Sequence, residues 1–270
     1  MKKIQGLSDI KVAVRGAGDL ASGVAWRLHQ CGFRVYLTEI EKPMAVRRKV
    51  AFCEAVYDGN TSVEGVTCVR VKTPAEVPTA WKAGHIPLLV DPDCQARHDI
   101  QPEVLVDAII AKKNLGTTLD HAPLVIALGP GFEAGKDAHF VVETKRGHFL
   151  GRLLETGMAE ADTGIPGSVQ GFTTERVLRA PGDGILASQA RIGDSVEKGE
   201  TLGSVAGEPL KASISGALRG LIRPGIRVRK GLKIGDIDPR GRRENCFTIS
   251  EKALAIAGGV LEGILRTFKG

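Results

Sequence analysis

The turn Gly16-Ala17-Gly18-Asp19-Leu20-Ala21 constrains this chain more than any other stretch of it. An apolar run, Ile10 to Val14, leads into the turn. The stretch it opens, Leu20 to Cys31, repeats Leu20, Val24 and Leu28 at helical spacing around Trp26. A second apolar run, Phe33 to Leu37, is followed by Glu39, 21 residues past Gly18. In such a strand-turn-helix-strand unit the first glycine makes the tight turn. The second lets a ligand approach the backbone, and a small third residue lets the helix pack closely. The N–H groups at the helix start favour an anion. Gly16, Gly18, Asp19 and Leu20 are therefore the expected ligand-binding residues, with Glu39 placed for ribose hydroxyls. Arg47 and Arg48 fit exposed charges on a helix better than a phosphate clamp.

The same texture continues. Helical patterns at Pro43 to Ala55, Pro74 to Lys82 and Pro102 to Lys112 alternate with strand material at Val63 to Val71, Pro87 to Val90 and Leu124 to Leu128. That alternation predicts a mostly parallel sheet covered by helices, a Rossmann-like domain over 1–175.

From Thr144 onward glycines punctuate shorter segments, and residues 184–203 and 216–235 align at a spacing of 32. Gly184 matches Gly216, Leu186 matches Leu218, and Val196-Glu197-Lys198-Gly199 matches Val228-Arg229-Lys230-Gly231. Two copies are too few for a solenoid and fit two interlocked β-units. Gly193-Asp194-Ser195-Val196-Glu197-Lys198-Gly199 resembles the recurring motif of the lipoyl/biotinyl-type hammerhead barrel. That likeness implies a β-rich barrel over 176–270 with a C-terminal helix. The connection Val205 to Pro209 carries no lysine, which argues for a scaffold rather than a carrier.

Charge is unevenly placed. The net charge is +6, yet Lys211 to Arg243 holds ten Lys and Arg against only Asp236 and Asp238. An anionic partner is expected there. That segment has no aromatic residue for base stacking, which argues against a nucleic-acid module. Five cysteines with no CxxC pair argue against a disulfide framework or a structural zinc site. No apolar stretch is long enough to span a bilayer, so a soluble, cytoplasmic protein is expected.

Three further segments could carry chemistry. Gly129, Gly131 and Phe132 follow the Leu124 to Leu128 strand, as ligand loops do at the carboxyl edge of a parallel sheet. Arg146 and His148, beside Gly147, suggest anion binding or proton transfer, or a plain hairpin turn. Asp236 and Asp238, at i and i+2, share one face of a strand and could bind a cation together; otherwise they neutralise nearby arginines such as Arg240. Cys246 lies among arginines that would favour a thiolate, although a buried thiol is the plainer reading.

Taken together, Val14 to Ala25, Thr38-Glu39-Ile40, Ala127 to Phe132, Glu143 to His148, Gly235 to Gly241 and Gly258 to Glu262 resemble the YqeB family of accessory proteins for selenium-dependent molybdenum hydroxylases. The resemblance covers nearly the whole chain. It implies a role in inserting or activating selenium or the molybdenum cofactor, with a client hydroxylase or its cofactor and a small phosphate-bearing ligand as partners. Under it Cys246, Arg146 and His148 become candidate catalytic residues, and Arg240 joins the ligand set. No cofactor is fixed by the sequence; a nucleotide or dinucleotide fits the glycine turn. Self-association stays open. The alternative from a different class is an NAD(P)-dependent oxidoreductase acting on a small anionic substrate.

Overall fold

A computed structural model describes residues 6–268, which divide into two units. Unit 1 comprises Met1–Pro43, Ala51–Thr163 and Ile249–Gly270; unit 2 comprises Met44–Val50 and Gly164–Thr248.

Unit 1 contains strands β1 (Lys11–Arg15), β2 (Arg34–Glu39), β3 (Asn60–Val63), β4 (Val66–Arg70), β5 (Ile86–Val90) and β6 (Val104–Asp107). It continues with β7 (Leu124–Leu128), β8 (Glu133–Ala134), β9 (Phe140–Val142), β10 (Leu153–Leu154) and β11 (Gly157–Met158). Its helices are α1 (Asp19–Gln30), α2 (Ala55–Asp58), α3 (Val77–Lys82), α4 (Arg97–Ile100) and α5 (Glu251–Thr267). Nine strands form one sheet in the order β10-β9-β7-β6-β1-β2-β5-β4-β3. Its middle is parallel, while β3 with β4 and β10 with β9 are antiparallel pairs at the two edges. The central strands read as unbroken apolar runs because both of their faces are covered: β6 and β7 are buried along their whole length.

Unit 2 holds β12 (Val177–Arg179), β13 (Gly184–Ser188), β14 (Ser195–Val196), β15 (Thr201–Val205), β16 (Glu208–Lys211), β17 (Gly216–Leu221), β18 (Arg227–Val228) and β19 (Lys233–Asp238). They form two four-stranded antiparallel sheets, β12-β19-β17-β14 and β16-β15-β13-β18. The repeat is real at the backbone level. Strands of the two copies start 32 residues apart, and the copies exchange strands: β14 pairs with β17, and β18 with β13. Matching positions fill one core, with Leu186, Val196 and Leu202 buried alongside Leu218, Val228 and Ile234. Lys211 closes β16 opposite Thr201, away from the hairpin turn.

The expected pairing of a Rossmann-like domain with a hammerhead barrel is overturned. Unit 1 is a mixed α/β assembly on a parallel and antiparallel sheet, and between its strands only α1 exceeds six residues. The stretch expected as a helix from Pro102 to Lys112 contains β6 instead. Pro102 mimics a helix start, but the β-branched, fully buried Val104-Leu105-Val106 run suits a central strand. Pro43 to Ala55 forms short turns of 3-10 helix. Within it Arg47 is buried and donates to the carbonyls of Asn245 (3.1 Å) and Thr248 (2.8 Å), and Arg48 donates to that of Leu221 (3.0 Å). The helix assigned to the C-terminal barrel is α5 of unit 1, where it packs against α1. The divide at 175/176 does not capture this interleaved course.

Candidate functional site

The carboxyl ends of β1, β2, β6, β7 and β9 gather most of the expected residues on unit 1. Gly16 adopts φ +99, and a Cβ there would lie 3.1 Å from the Ala108 carbonyl oxygen, so the turn after β1 needs glycine. Gly18 caps α1 with no side-chain hydrogen bond, and nothing lies within 4 Å of where its Cβ would be. Asp19 and Leu20, half-buried, begin the helix. Their N–H groups lack intrahelical partners, as at every helix start, and the dipole adds positive potential.

Glu39 serves this turn from below. One carboxylate oxygen accepts the Ala17 N–H (2.9 Å) and the other accepts the Ile40 N–H (2.8 Å). Burial pushes its carboxyl above the ordinary range, against the pull of those two donors. One oxygen thus braces the turn at Ala17 and the other the backbone just after β2 at Ile40.

The loop after β7 is shaped by close approaches. A Cβ on Gly129 (φ +77) would lie 2.5 Å from the Thr144 hydroxyl, and one on Gly131 (φ +101) 2.5 Å from the Lys113 backbone. Phe132 is buried within the apolar core beside Ala127 and Ala134, so it packs rather than faces a ligand. Past β9, the buried Glu143 accepts the N–H groups of Lys145 (2.7 Å) and Glu160 (2.8 Å). Arg146 is exposed and pairs with Glu251 at the start of α5. His148 is exposed too, its ring edge-on to Phe149 with centroids 5.0 Å apart. The two share no partner among the described residues.

Two features escaped the sequence reading. Lys252, the second residue of α5 beyond the capping Ser250, is half-buried, and its amine has no hydrogen-bond partner among the described residues. Burial, with Arg146 adding to it, pushes that amine below the ordinary lysine range, while Asp19, Asp162 and Glu143 pull the other way. Lys252 thus sits among the glycine turn, the Glu143 to Arg146 loop and its own helix start. No spacing signal links position 252 to positions 19 and 143; only the packing of α5 on α1 does. The second feature is Arg15, buried at the end of β1. It donates to the carbonyls of Pro92 (3.1 Å) and Leu115 (3.1 Å) and to the Thr117 hydroxyl (3.0 Å), which donates to Asp107 (2.6 Å). An arginine closing an apolar strand run was the available signal. It ties the loops after β5 and β6 to the turn.

The remaining expected residues lie in unit 2. Asp236 and Asp238 do share a face of β19, but arginines occupy it. Arg176 sets one nitrogen, Nη2, against both Asp236 oxygens at 2.9 and 3.2 Å, and Arg240 forks onto Asp238 at 2.9 and 2.6 Å, with Arg219 3.9 and 4.0 Å from the pair. Burial works to raise the Asp238 carboxyl, yet Arg240 and Arg219 hold it below its usual range. Of the two readings, cation site or neutralised arginines, the structure has the second: a buried guanidinium–carboxylate cluster with Arg240 among its members. Among the described residues no group of three or more His, Cys, Asp or Glu could hold a metal. Cys246 is fully buried, its thiol 3.8 Å from the Leu218 carbonyl oxygen. Burial raises it, and Arg219, Arg47 and Arg243 do not offset that cost. The expected thiolate is a protonated core thiol.

No family model matches the chain. Over 254 residues, 94% of its length, it is 49% identical to the uncharacterized protein YqeB of Escherichia coli K12. The match covers 47% of that protein, so the chain spans about half the length of the curated relative it matches. Likeness to solved structures is slight. An aspartoacylase family protein of Mesorhizobium loti aligns at 19% identity over 31% of this chain and 32% of that one, with a TM-score of 0.23. A succinylglutamate desuccinylase of Silicibacter aligns at 14% identity over 84% of each chain, with a TM-score of 0.25. The product-bound ectoine utilization protein EutE of Ruegeria pomeroyi aligns at 14% identity over 80% of this chain and 61% of that one, with a TM-score of 0.24.

Proposed function

The chain belongs to the YqeB family along 94% of its length, and from that premise we propose that it is an accessory protein in the maturation of selenium-dependent molybdenum hydroxylases. Its part is to hold a small phosphate-bearing ligand at the carboxyl edge of the unit 1 sheet. The observation that carries this reading is Lys252, a half-buried amine with no hydrogen-bond partner among the described residues, beside a glycine turn whose helix start has no side-chain cap. An anion seated there would gain N–H donors and a cation together, and would relieve the cost of charging the buried amine.

The positive surplus between Lys211 and Arg243 supports an acidic client, drawn from the exposed Arg227, Arg229 and Lys230 rather than from Arg219 and Arg240, which are spent on carboxylates. The test is genetic and elemental. A client hydroxylase is co-expressed with the wild-type chain or with Lys252→Met, and its selenium and molybdenum are measured by mass spectrometry. The variant should leave the client folded but depleted in one of the two elements. Normal content of both with the variant would overturn the reading.

A further inference from the structure

At the opposite, amino edge of the same sheet lies a cavity of about 680 Å³, adjoined by one of about 370 Å³; Arg34, Pro78 and Trp81 line both. Lys11 and Arg34 are register partners at the first positions of β1 and β2, which sets two cations side by side at this edge. They differ in one respect. The Lys11 amine is held by the Ile100 carbonyl, whereas Arg34 is exposed and has neither a side-chain hydrogen bond nor an ion pair among the described residues.

Trp81 forms a fixed wall. Its indole N–H donates to the Val35 carbonyl at 2.7 Å, and its ring stands edge-on to Tyr36 with centroids 6.5 Å apart. Val77, Pro78 and Ile100 complete an apolar lining. The volume falls within the range of small-molecule sites, and an apolar wall with one unspent polar anchor is how such sites combine affinity with orientation.

We propose that this cavity binds a small organic monocarboxylate with an apolar body. The body lies against Trp81, Pro78 and Ile100, and the Arg34 fork takes the carboxylate in the bidentate geometry that guanidinium favours. Inorganic phosphate has no apolar body to lay against Trp81 and Ile100, so the apolar lining discriminates against it. The cavity is therefore distinct in ligand chemistry from the carboxyl-edge site.

Calorimetric titration with phenylacetate, with 2-phenylethanol as the neutral isostere and inorganic phosphate as the apolar-free anion, tests this. Phenylacetate should bind saturably, and the two controls about tenfold more weakly or worse. Arg34→Gln, at an exposed position that the fold does not use, should erase the preference for phenylacetate over the alcohol. Trp81→Phe should weaken both aromatic ligands together. Absence of phenylacetate binding, equal binding of the alcohol, or undiminished binding by Arg34→Gln would overturn the proposal.

Discussion

Gly23 of α1 lies directly against Ala253 of α5: a Cβ built on Gly23 would stand 2.7 Å from the Ala253 Cβ. The missing side chain lets the two helices touch, and that contact delivers Lys252, the residue before Ala253 in α5, to the glycine turn that opens α1. Gly151 and Gly259 make a second approach of this kind, with the Gly151 carbonyl against the α5 backbone.

Filling the first approach should therefore cost stability. Gly23→Val should destabilise the protein by about 1–3 kcal/mol through overpacking. Gly258→Ala, in the same α5 helix but with open space around it, should instead stabilise by about 0.5–1 kcal/mol. Urea denaturation of the two variants checks both signs. Equal effects would mean that helix propensity, not helix contact, governs these positions.

Removing the Asp236 carboxylate should leave Arg176 and Arg219 charged and buried. Asp236→Asn is expected to cost about 3–5 kcal/mol, the scale for breaking a buried pair from one side. Millimolar calcium or magnesium should leave the wild-type Tm unchanged, because the carboxylates are already engaged. A metal-dependent rise in Tm abolished by Asp236→Asn would contradict this assignment.

Thiol reactivity should follow exposure. Cys31 is the one cysteine that is not buried, so iodoacetamide at neutral pH should label it first. Cys246 and Cys94 should react only on unfolding. Burial lifts Cys246, and it lifts Cys94 to about 11, with Asp91 adding to the rise and Thr38 and Arg97 opposing it. Peptide mapping against labelling time checks the order, and early labelling of Cys246 in the native protein would refute it.

The turn after β1, the helix it opens and the 32-residue repeat were all legible, because each is written in local spacing: Gly16 and Gly18, Leu20 and Leu28, Leu186 and Leu218. What stayed hidden depends on partners distant in sequence. Asp236 and Asp238 left a cation site open beside the neutralising of arginines, because nothing local shows that Arg176 and Arg219 face them. Cys246 kept a thiolate reading beside the plainer buried thiol because its arginines are visible in the sequence while the cost of burying a thiolate is not. Lys252 was overlooked since its neighbours, Asp19 and Glu143, lie more than a hundred residues away. Pro102 misled for a different reason, since a proline that starts a helix and one that precedes a strand look alike until the run that follows is seen to be buried.

The central claim is that the carboxyl edge of unit 1 holds an anion against Lys252, and calorimetric titration with inorganic pyrophosphate tests it most directly. Binding should be saturable and should weaken as salt rises. Burial favours the neutral amine and a bound anion favours the ammonium, so binding takes up protons. Affinity should fall as pH rises from the depressed Lys252 value towards the ordinary ~10.4. Lys252→Met, folded by its thermal transition, should bind about tenfold or more weakly. Absence of binding to the wild-type protein, or undiminished binding to Lys252→Met, would contradict the account.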